Sequence, residues 1–251
     1  MKQRPISRRQ TDDRGTSLPE LLVVMLILGI IAAATAALTI GFQRTNAQNI
    51  TRQDQVDAAR STVERMSKTI RTAVKPSQLS CTACTVDAFV KAETFSVQFY
   101  ANLDNPGNSV GPSRITYSVT TTGADANVLV EKVQTPDFVP PGPSGYVYCP
   151  AELAGASAAC QGRLTTRRLA TGVVASASSP LFTYFDTAGN ALTPAVGGSL
   201  STTDLEKVLS IEIDVNVETP NATRAKPTEY IQRVTLPNSQ AVLRSGQEST
   251  P

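Results

Sequence analysis

The amino-acid sequence predicts an α+β protein in which a long N-terminal α-helix packs on an antiparallel β-sheet domain. Two observations predict this fold class. Residues 21–40 carry no charge, and no proline or glycine interrupts the helical pattern over residues 42–74. Beyond Pro76, apolar and polar residues alternate along several short segments, which is the period of a half-buried strand. We therefore expect one continuous helix over residues 18–74, followed by a β-rich globular domain over residues 76–238.

The first half of the predicted helix is apolar enough to cross a lipid bilayer. About 20 apolar residues at roughly 1.5 Å each span the hydrocarbon core. Glu20 lies at the start of this segment, where a carboxylate is costly unless it stays at the interface or finds a partner. Basic residues exceed acidic ones before it: Lys2, Arg4, Arg8, Arg9 and Arg14 against Asp12 and Asp13. Such a flank stays in the cytoplasm. We therefore expect a single-pass membrane protein whose C-terminal domain lies outside the cytoplasm.

The second half of the helix, residues 41–75, is amphipathic. Its apolar residues recur at intervals of three and four and form one stripe: Val56, Ala59, Val63, Met66, Ile70 and Ala73. A proline disfavours the helical conformation in the residue before it, so the helix should end near Lys75. We expect the stripe to pack on the β domain.

Three alternating segments, residues 94–100, 114–121 and 127–134, predict consecutive strands. Turn-forming residues join them, so an antiparallel meander is expected. In the third segment the pattern places Val128, Val130 and Lys132 on one face. Residues 135–162 contain many prolines and glycines and predict an irregular excursion from the sheet. Further strands are predicted over residues 181–185, 208–217 and 230–236, and residues 239–251 form a polar tail.

The four cysteines form two close pairs along the chain, Cys81 with Cys84 and Cys149 with Cys160. In an exported domain, disulfides between near neighbours are the expected state. A zinc site built by both pairs is the alternative, although the second pair is more widely spaced than zinc-binding cysteines usually are.

The composition argues against catalysis. The chain contains no histidine, which removes the commonest general base and metal ligand. Glu212 and Asp214 alternate with apolar residues in a predicted strand, so they are expected on a solvated face rather than in a catalytic or calcium site. We predict a protein that is not an enzyme, has no catalytic residues and binds no metal or other cofactor. A membrane-tethered exported enzyme is the alternative.

The N-terminal segment resembles the class III signal of type IV pilins and type II secretion pseudopilins. The shared parts are a basic leader, Gly15, a short polar stretch, Glu20 and an apolar helix. The resemblance implies a leader peptide over residues 1–15, cleavage by a prepilin peptidase between Gly15 and Thr16, and methylation of the new N-terminal Thr16. Residues 16–40 would then form a transmembrane and filament-core helix, and Glu20 would be an assembly contact. Thr16 and Pro19 occupy positions where the family usually has Phe and an aliphatic residue.

The C-terminal half resembles the J-class minor pseudopilins and related minor pilins. The resemblance lies in Phe182–Asp186, Gly189 with Asn190, the strand over residues 208–217, and Val234–Asn238. It implies a non-catalytic minor subunit of a type IV pilus or a type II secretion-like filament. The implied partners are the prepilin peptidase, other pilin or pseudopilin subunits, the inner-membrane assembly platform and membrane lipid.

A second hypothesis is a filament-tip adhesin or a subunit that captures DNA for uptake. Arg163, Arg167 and Arg168 form the one basic cluster of the globular region that could contact nucleic acid. A small run of charges is, however, more often a solvated surface than a binding site.

Overall fold

A computed structural model describes residues 17–79, 81, 84–120, 122–123, 126–143, 145–218 and 226–237. The predicted leader, the predicted cleavage and methylation sites at Gly15 and Thr16, and the predicted tail over 239–251 lie outside the described residues. The chain divides into two compact units, residues 1–49 and residues 50–251.

The described part of the first unit belongs to helix α1 (Leu18–Ile70). The backbone carbonyl of Ser17 accepts hydrogen bonds from the N–H groups of Glu20 and Leu21 and so closes the first turn. Large apolar side chains along this part are exposed, as Leu22 shows at 63%. The Thr35 and Thr39 hydroxyls donate to backbone carbonyls one turn earlier, at 3.0 and 2.8 Å. Helical threonines paired in this way need no water, which suits a segment surrounded by lipid or by other helices.

In the second unit, α1 carries the buried stripe that the sequence predicts. Ala59, Val63, Met66 and Ile70 are fully buried, whereas Val56 is 38% exposed. The helix ends at Ile70, before the predicted end near Lys75. The early end has a tertiary cause: the Val74 N–H donates to the Tyr100 carbonyl and Ala73 pairs with Ala101, so strand pairing replaces helical bonding before Pro76 is reached.

Five antiparallel strands in consecutive order form the first sheet: β1 (Phe89–Ala92), β2 (Ser96–Ala101), β3 (Ser113–Thr120), β4 (Val128–Gln134) and β5 (Leu164–Thr171). The predicted meander is β2–β3–β4. Strands β1 and β5 were not predicted, because neither shows alternation: β1 is buried at both ends, and β5 is an edge strand exposed over most of its length.

The second sheet is antiparallel in the order β7–β6–β8–β9. Its strands are β6 (Phe182–Phe185), β7 (Ala191–Leu192), β8 (Ser210–Val217) and β9 (Thr228–Thr235). Two short helices, α2 (Ala158–Gln161) and α3 (Thr202–Leu205), lie in the connections. The helix stripe and the inner faces of both sheets form one hydrophobic core. The predicted α+β arrangement, a long N-terminal helix packed on antiparallel sheets, is therefore present.

The interior face of β4 is not the one that carries Val130 and Lys132. Leu129 and Glu131, on the other face, occupy the interior and are 0% and 2% exposed. The register pairs Glu131 with the fully buried Tyr117, which brings this carboxylate inside. A charge is tolerated there because it has dedicated partners, which only the tertiary structure supplies.

Candidate functional site

Glu20 lies in the first turn of α1 and is exposed. It is the one charged residue of the segment from Leu18 to Gln43, since the next charge along the chain is Arg44. A carboxylate in a helix's first turn is favoured by the unpaired N–H groups there. The arrangement therefore presents one negative charge at the start of a long apolar helical surface.

The segment that follows Glu20 could cross a membrane. Among the described residues, α1 is the one helix long and apolar enough to do so by length and composition, and its most apolar window is not buried within the chain. A core helix of a soluble protein would be covered on at least one side. By length, composition and exposure, the segment is consistent with a single membrane anchor.

Within the second unit, α1 is joined to the first sheet by a buried charge network. The Glu131 carboxylate accepts hydrogen bonds from Arg65 Nε at 3.1 Å to each oxygen, from Arg65 Nη2 at 2.6 Å, and from the Tyr117 hydroxyl at 2.9 Å. The Glu131 side chain is 3% exposed, whereas that of Arg65 is 42% exposed. Burial raises the pKa of Tyr117 far above its ordinary value, so its hydroxyl stays a donor. These directional bonds fix the rotation of the helix on the sheet.

Three further polar contacts connect the same helical segment to both sheets. The Thr62 hydroxyl donates to the Leu169 carbonyl of β5 at 3.2 Å. On the second sheet, the Ser67 hydroxyl donates to Gln232 Oε1 of β9 at 2.9 Å, and Thr228 donates to Gln55 of the helix at 3.2 Å. The helix is therefore held by specific bonds at β4, β5 and β9 in addition to its apolar stripe.

The cysteines form two disulfides, Cys81–Cys84 and Cys149–Cys160, the near-neighbour pairing that the sequence favours over zinc. The Cys149–Cys160 bond lies in the second half of the predicted excursion, residues 135–162. The excursion is also held to the first sheet, because Gln134 Nε2 donates to the Cys149 carbonyl at 2.6 Å and the Tyr148 hydroxyl donates to the Pro112 carbonyl. The excursion between β4 and β5 is thus hydrogen-bonded to the rest of the domain.

The structure does not bring the three arginines of the predicted basic cluster together on one surface. Arg163 lies 3.6 Å from the Asp137 carboxylate and donates to the Pro136 carbonyl at 2.8 Å. Arg167 and Arg168 are successive residues of the exposed edge strand β5, so their side chains leave opposite faces of the sheet. A nucleic-acid backbone could not engage all three in the way a continuous basic face allows.

Glu212 and Asp214 share the outer face of β8, as the sequence predicts, but this face is only partly solvated: both residues are half-buried and the Oδ1 atom of Asp214 is buried. Arg233 of β9 lies opposite Glu212 and bonds it at 3.0 Å. Within the described part of the chain, no group of three or more His, Cys, Asp or Glu residues is arranged to hold a metal ion.

The sequence did not indicate the Arg65–Glu131 network. The network has one visible signal in the sequence, a glutamate that interrupts the apolar alternation of β4. That signal alone does not identify the partner, which lies on a helix more than sixty residues earlier.

Comparison of the chain with models of known protein families and with curated proteins finds no match.

Proposed function

We propose that this chain is a non-catalytic subunit of a filament of the type IV pilus or type II secretion type, a minor pilin or pseudopilin inserted through its N-terminal helix. The observation that carries the proposal is the exposed Glu20 at the start of an otherwise uncharged, exposed helical segment. The same helix continues into a segment bonded to a β domain. The basic leader and Gly15, which complete the class III signal that residues 1–20 resemble, add further support.

The proposed mechanism rests on the cost of a carboxylate among apolar helices. In the membrane, the charge of Glu20 stays at the interface or lacks a partner. When subunits stack helix against helix, Glu20 can pair with the cationic N-terminal amine of Thr16 in a neighbouring subunit. Removing one member of such a pair leaves the other unpaired, which costs on the order of 3–5 kcal/mol if the pair is fully buried. Assembly would therefore satisfy a charge that the isolated subunit carries at a cost.

Processing is the first test of the proposal. If the prepilin peptidase acts on this chain, mass spectrometry of the membrane-derived protein should find its N-terminus at Thr16, with the mass of one added methyl group. Replacing Gly15 with Leu should leave the leader attached, because a bulky side chain would occupy the cleavage position. Intact Met1 in the wild-type protein, or a cut beyond the apolar segment, would contradict the class III assignment.

The second test separates assembly from insertion. Glu20→Ala should leave cleavage and membrane abundance unchanged but prevent incorporation into filaments, since the neighbour's amine loses its partner. Glu20→Gln should be intermediate at best, because an amide accepts a hydrogen bond but carries no charge. Leu21→Ala, in the same turn, is the matched control for truncating a side chain without removing charge. Immunoblots of sheared filaments and of total membranes measure the two pools.

Two outcomes of this test contradict different parts of the proposal. Normal incorporation of Glu20→Ala would show that Glu20 is not an assembly contact. Loss of the variant from the membrane fraction itself would indicate a role in insertion, which the proposed mechanism does not include.

The alternative that the chain captures DNA receives less support from the geometry. Arg163 is engaged by Asp137, and the exposed Arg167 and Arg168 leave opposite faces of β5. Salt-dependent DNA binding by the detergent-solubilised chain that is lost on Arg167→Ala and Arg168→Ala would favour this alternative over the proposal.

A further inference from the structure

The charged side chains on the outer face of the first sheet are all of one sign. The register and the burial pattern of strands β1–β5 direct four cations outward, and no carboxylate of these strands shares their face: Lys91, Arg114, Lys132 and Arg168. Carboxylates from neighbouring loops meet two of them at 2.7 Å, in the pairs Lys91–Glu93 and Lys132–Glu152. Arg114 donates to the neutral amide of Gln134. The face therefore keeps an excess of positive charge.

The outer face of the second sheet carries the opposite excess. The charged residues that strands β6–β9 direct outward are three carboxylates and one cation: Glu212, Asp214, Glu229 and Arg233. Arg233 bonds Glu212 at 3.0 Å, which leaves Asp214 and Glu229 as the surplus. Burial raises the pKa of Asp214 to about 6, so its carboxyl is still ionised at pH 7.5.

Each outer face also has an aliphatic side chain beside its surplus charges. On the first sheet, Val130 is half-buried, pairs with Arg168 of β5 and precedes Lys132 by two residues on the same strand. Directly paired residues lie about 5 Å apart, and residues two apart along a strand lie roughly 7 Å apart. On the second sheet an exposed aliphatic residue has one acidic neighbour across the strand pair and one along the strand: Ile231, Asp214 and Glu229. The two faces thus repeat one arrangement with the signs of charge reversed.

The two outer faces cannot meet within one chain, because the inner faces of both sheets form a single core and the outer faces point away from it. Each face is, however, available to another copy. Surfaces of opposite charge attract each other and disfavour wrong partners. We propose that the outer face of the first sheet in one copy docks on the outer face of the second sheet in another copy. Because this contact joins two different surfaces, it leaves one surface of each kind free for further copies.

The proposed contact goes beyond the proposed function, since it uses neither Glu20 nor the apolar segment. Exposed ion pairs are individually weak. We therefore expect a salt-sensitive contact that is weak between free chains and strong where neighbouring chains are already held close together. Its failure would leave the proposal for Glu20 standing.

Charge reversal on one face at a time tests the contact in the full chain, in a non-ionic detergent at pH 7.5. Sedimentation at low salt should detect wild-type dimers that dissociate in 1 M NaCl, where the screening length falls to about 3 Å. Arg168→Glu and Glu229→Lys should each weaken dimerisation about tenfold, because like charges then meet. A mixture of these two variants should dimerise again, since the unchanged second sheet of one can dock on the unchanged first sheet of the other.

Matched controls make the same changes of charge away from both faces. Lys68→Glu and Asp57→Lys lie at exposed positions of α1, which packs on the inner faces, and should dimerise as wild type does. Thermal unfolding of each variant checks that it is folded. Lys132→Glu is a second reversal on the first face and should behave as Arg168→Glu does.

Three results would overturn the proposal. A wild-type chain that stays monomeric at low salt, at every concentration at which it is soluble, would show that the faces do not attract each other. Single variants that melt as wild type does but stay apart when mixed would place the contact elsewhere. A monomeric wild type that binds polyglutamate, with binding lost in Arg168→Glu, would assign the first face to an acidic partner other than a second copy.

Discussion

Replacing Arg65 with Met should destabilise the β domain much more than replacing its partner Glu131 with Gln. Methionine keeps most of the aliphatic length of the arginine side chain, so the change removes the cation and its hydrogen bonds with little loss of packing. The asymmetry follows from exposure. Arg65→Met leaves a carboxylate that is 3% exposed, whereas Glu131→Gln leaves a guanidinium that is 42% exposed and can turn to water.

The size of the effect can be bounded from the structure. After Arg65→Met, the carboxylate of Glu131 keeps the Tyr117 hydroxyl as a donor but loses three hydrogen bonds to a cation. The buried charge can instead be neutralised by a proton. Protonating an ordinary glutamate at pH 7 costs about 4 kcal/mol, which sets an upper limit on the cost of the unpaired charge. We therefore expect a loss of about 2–4 kcal/mol at pH 7. Glu131→Gln should cost about 1–2 kcal/mol, the range of lost charge-assisted bonds at a partly solvated site.

The same bound predicts how the loss depends on pH. At pH 5, protonating a glutamate costs only about 1 kcal/mol, so the destabilisation by Arg65→Met should fall to about that value. The double variant Arg65→Met with Glu131→Gln carries no buried charge and should recover part of the loss at pH 7. The interaction energy from this double-mutant cycle measures the network directly.

Chemical denaturation of the detergent-solubilised chain provides the assay. All six tyrosines lie beyond residue 50 and the chain has no tryptophan, so tyrosine fluorescence reports the domain and not the apolar segment. Tyr117→Phe is the control for the third partner and should cost about 1 kcal/mol. A loss below about 1 kcal/mol for Arg65→Met at pH 7, or an equal loss at pH 5 and pH 7, would refute the view that Glu131 is a buried charge stabilised by Arg65.

Two further changes test the anchored excursion. Replacing both Cys149 and Cys160 with serine should lower the free energy of unfolding by about 3 kcal/mol in the loop-entropy model. The same change at Cys81 and Cys84 should cost less, because that loop is shorter. Denaturation curves measure the two losses, and thiol labelling without reductant checks that both disulfides are formed in the wild-type chain. Gly145→Ala should destabilise more than Gly123→Ala, because both positions have positive φ but only at Gly145 would a Cβ lie 2.9 Å from the Cys84 sulfur. Equal melting temperatures for the two glycine variants would contradict this.

Local patterns in the sequence were sufficient for the elements whose side chains repeat with a regular period. The three- and four-residue spacing from Ala59 to Ile70 predicted the buried stripe of α1, and the alternation around Ile115 and Ile213 predicted β3 and β8. Such periods arise because one face of an element meets the core and the other does not. The sequence was also sufficient to predict that the uncharged run after Glu20 could span a bilayer, since that depends on length and composition alone.

Tertiary structure decided the features whose cause lies far away along the chain. Strand β5 is exposed on both faces for most of its length, so it has no period to read, and its pairing with β4 across the excursion defines it. Helix α1 ended early because Ala73 and Val74 found partners near the end of β2. Glu131 is buried because Arg65, on the helix, supplies its counter-charge. Each depends on the free energy of a contact between distant segments, which no local pattern of residue types encodes.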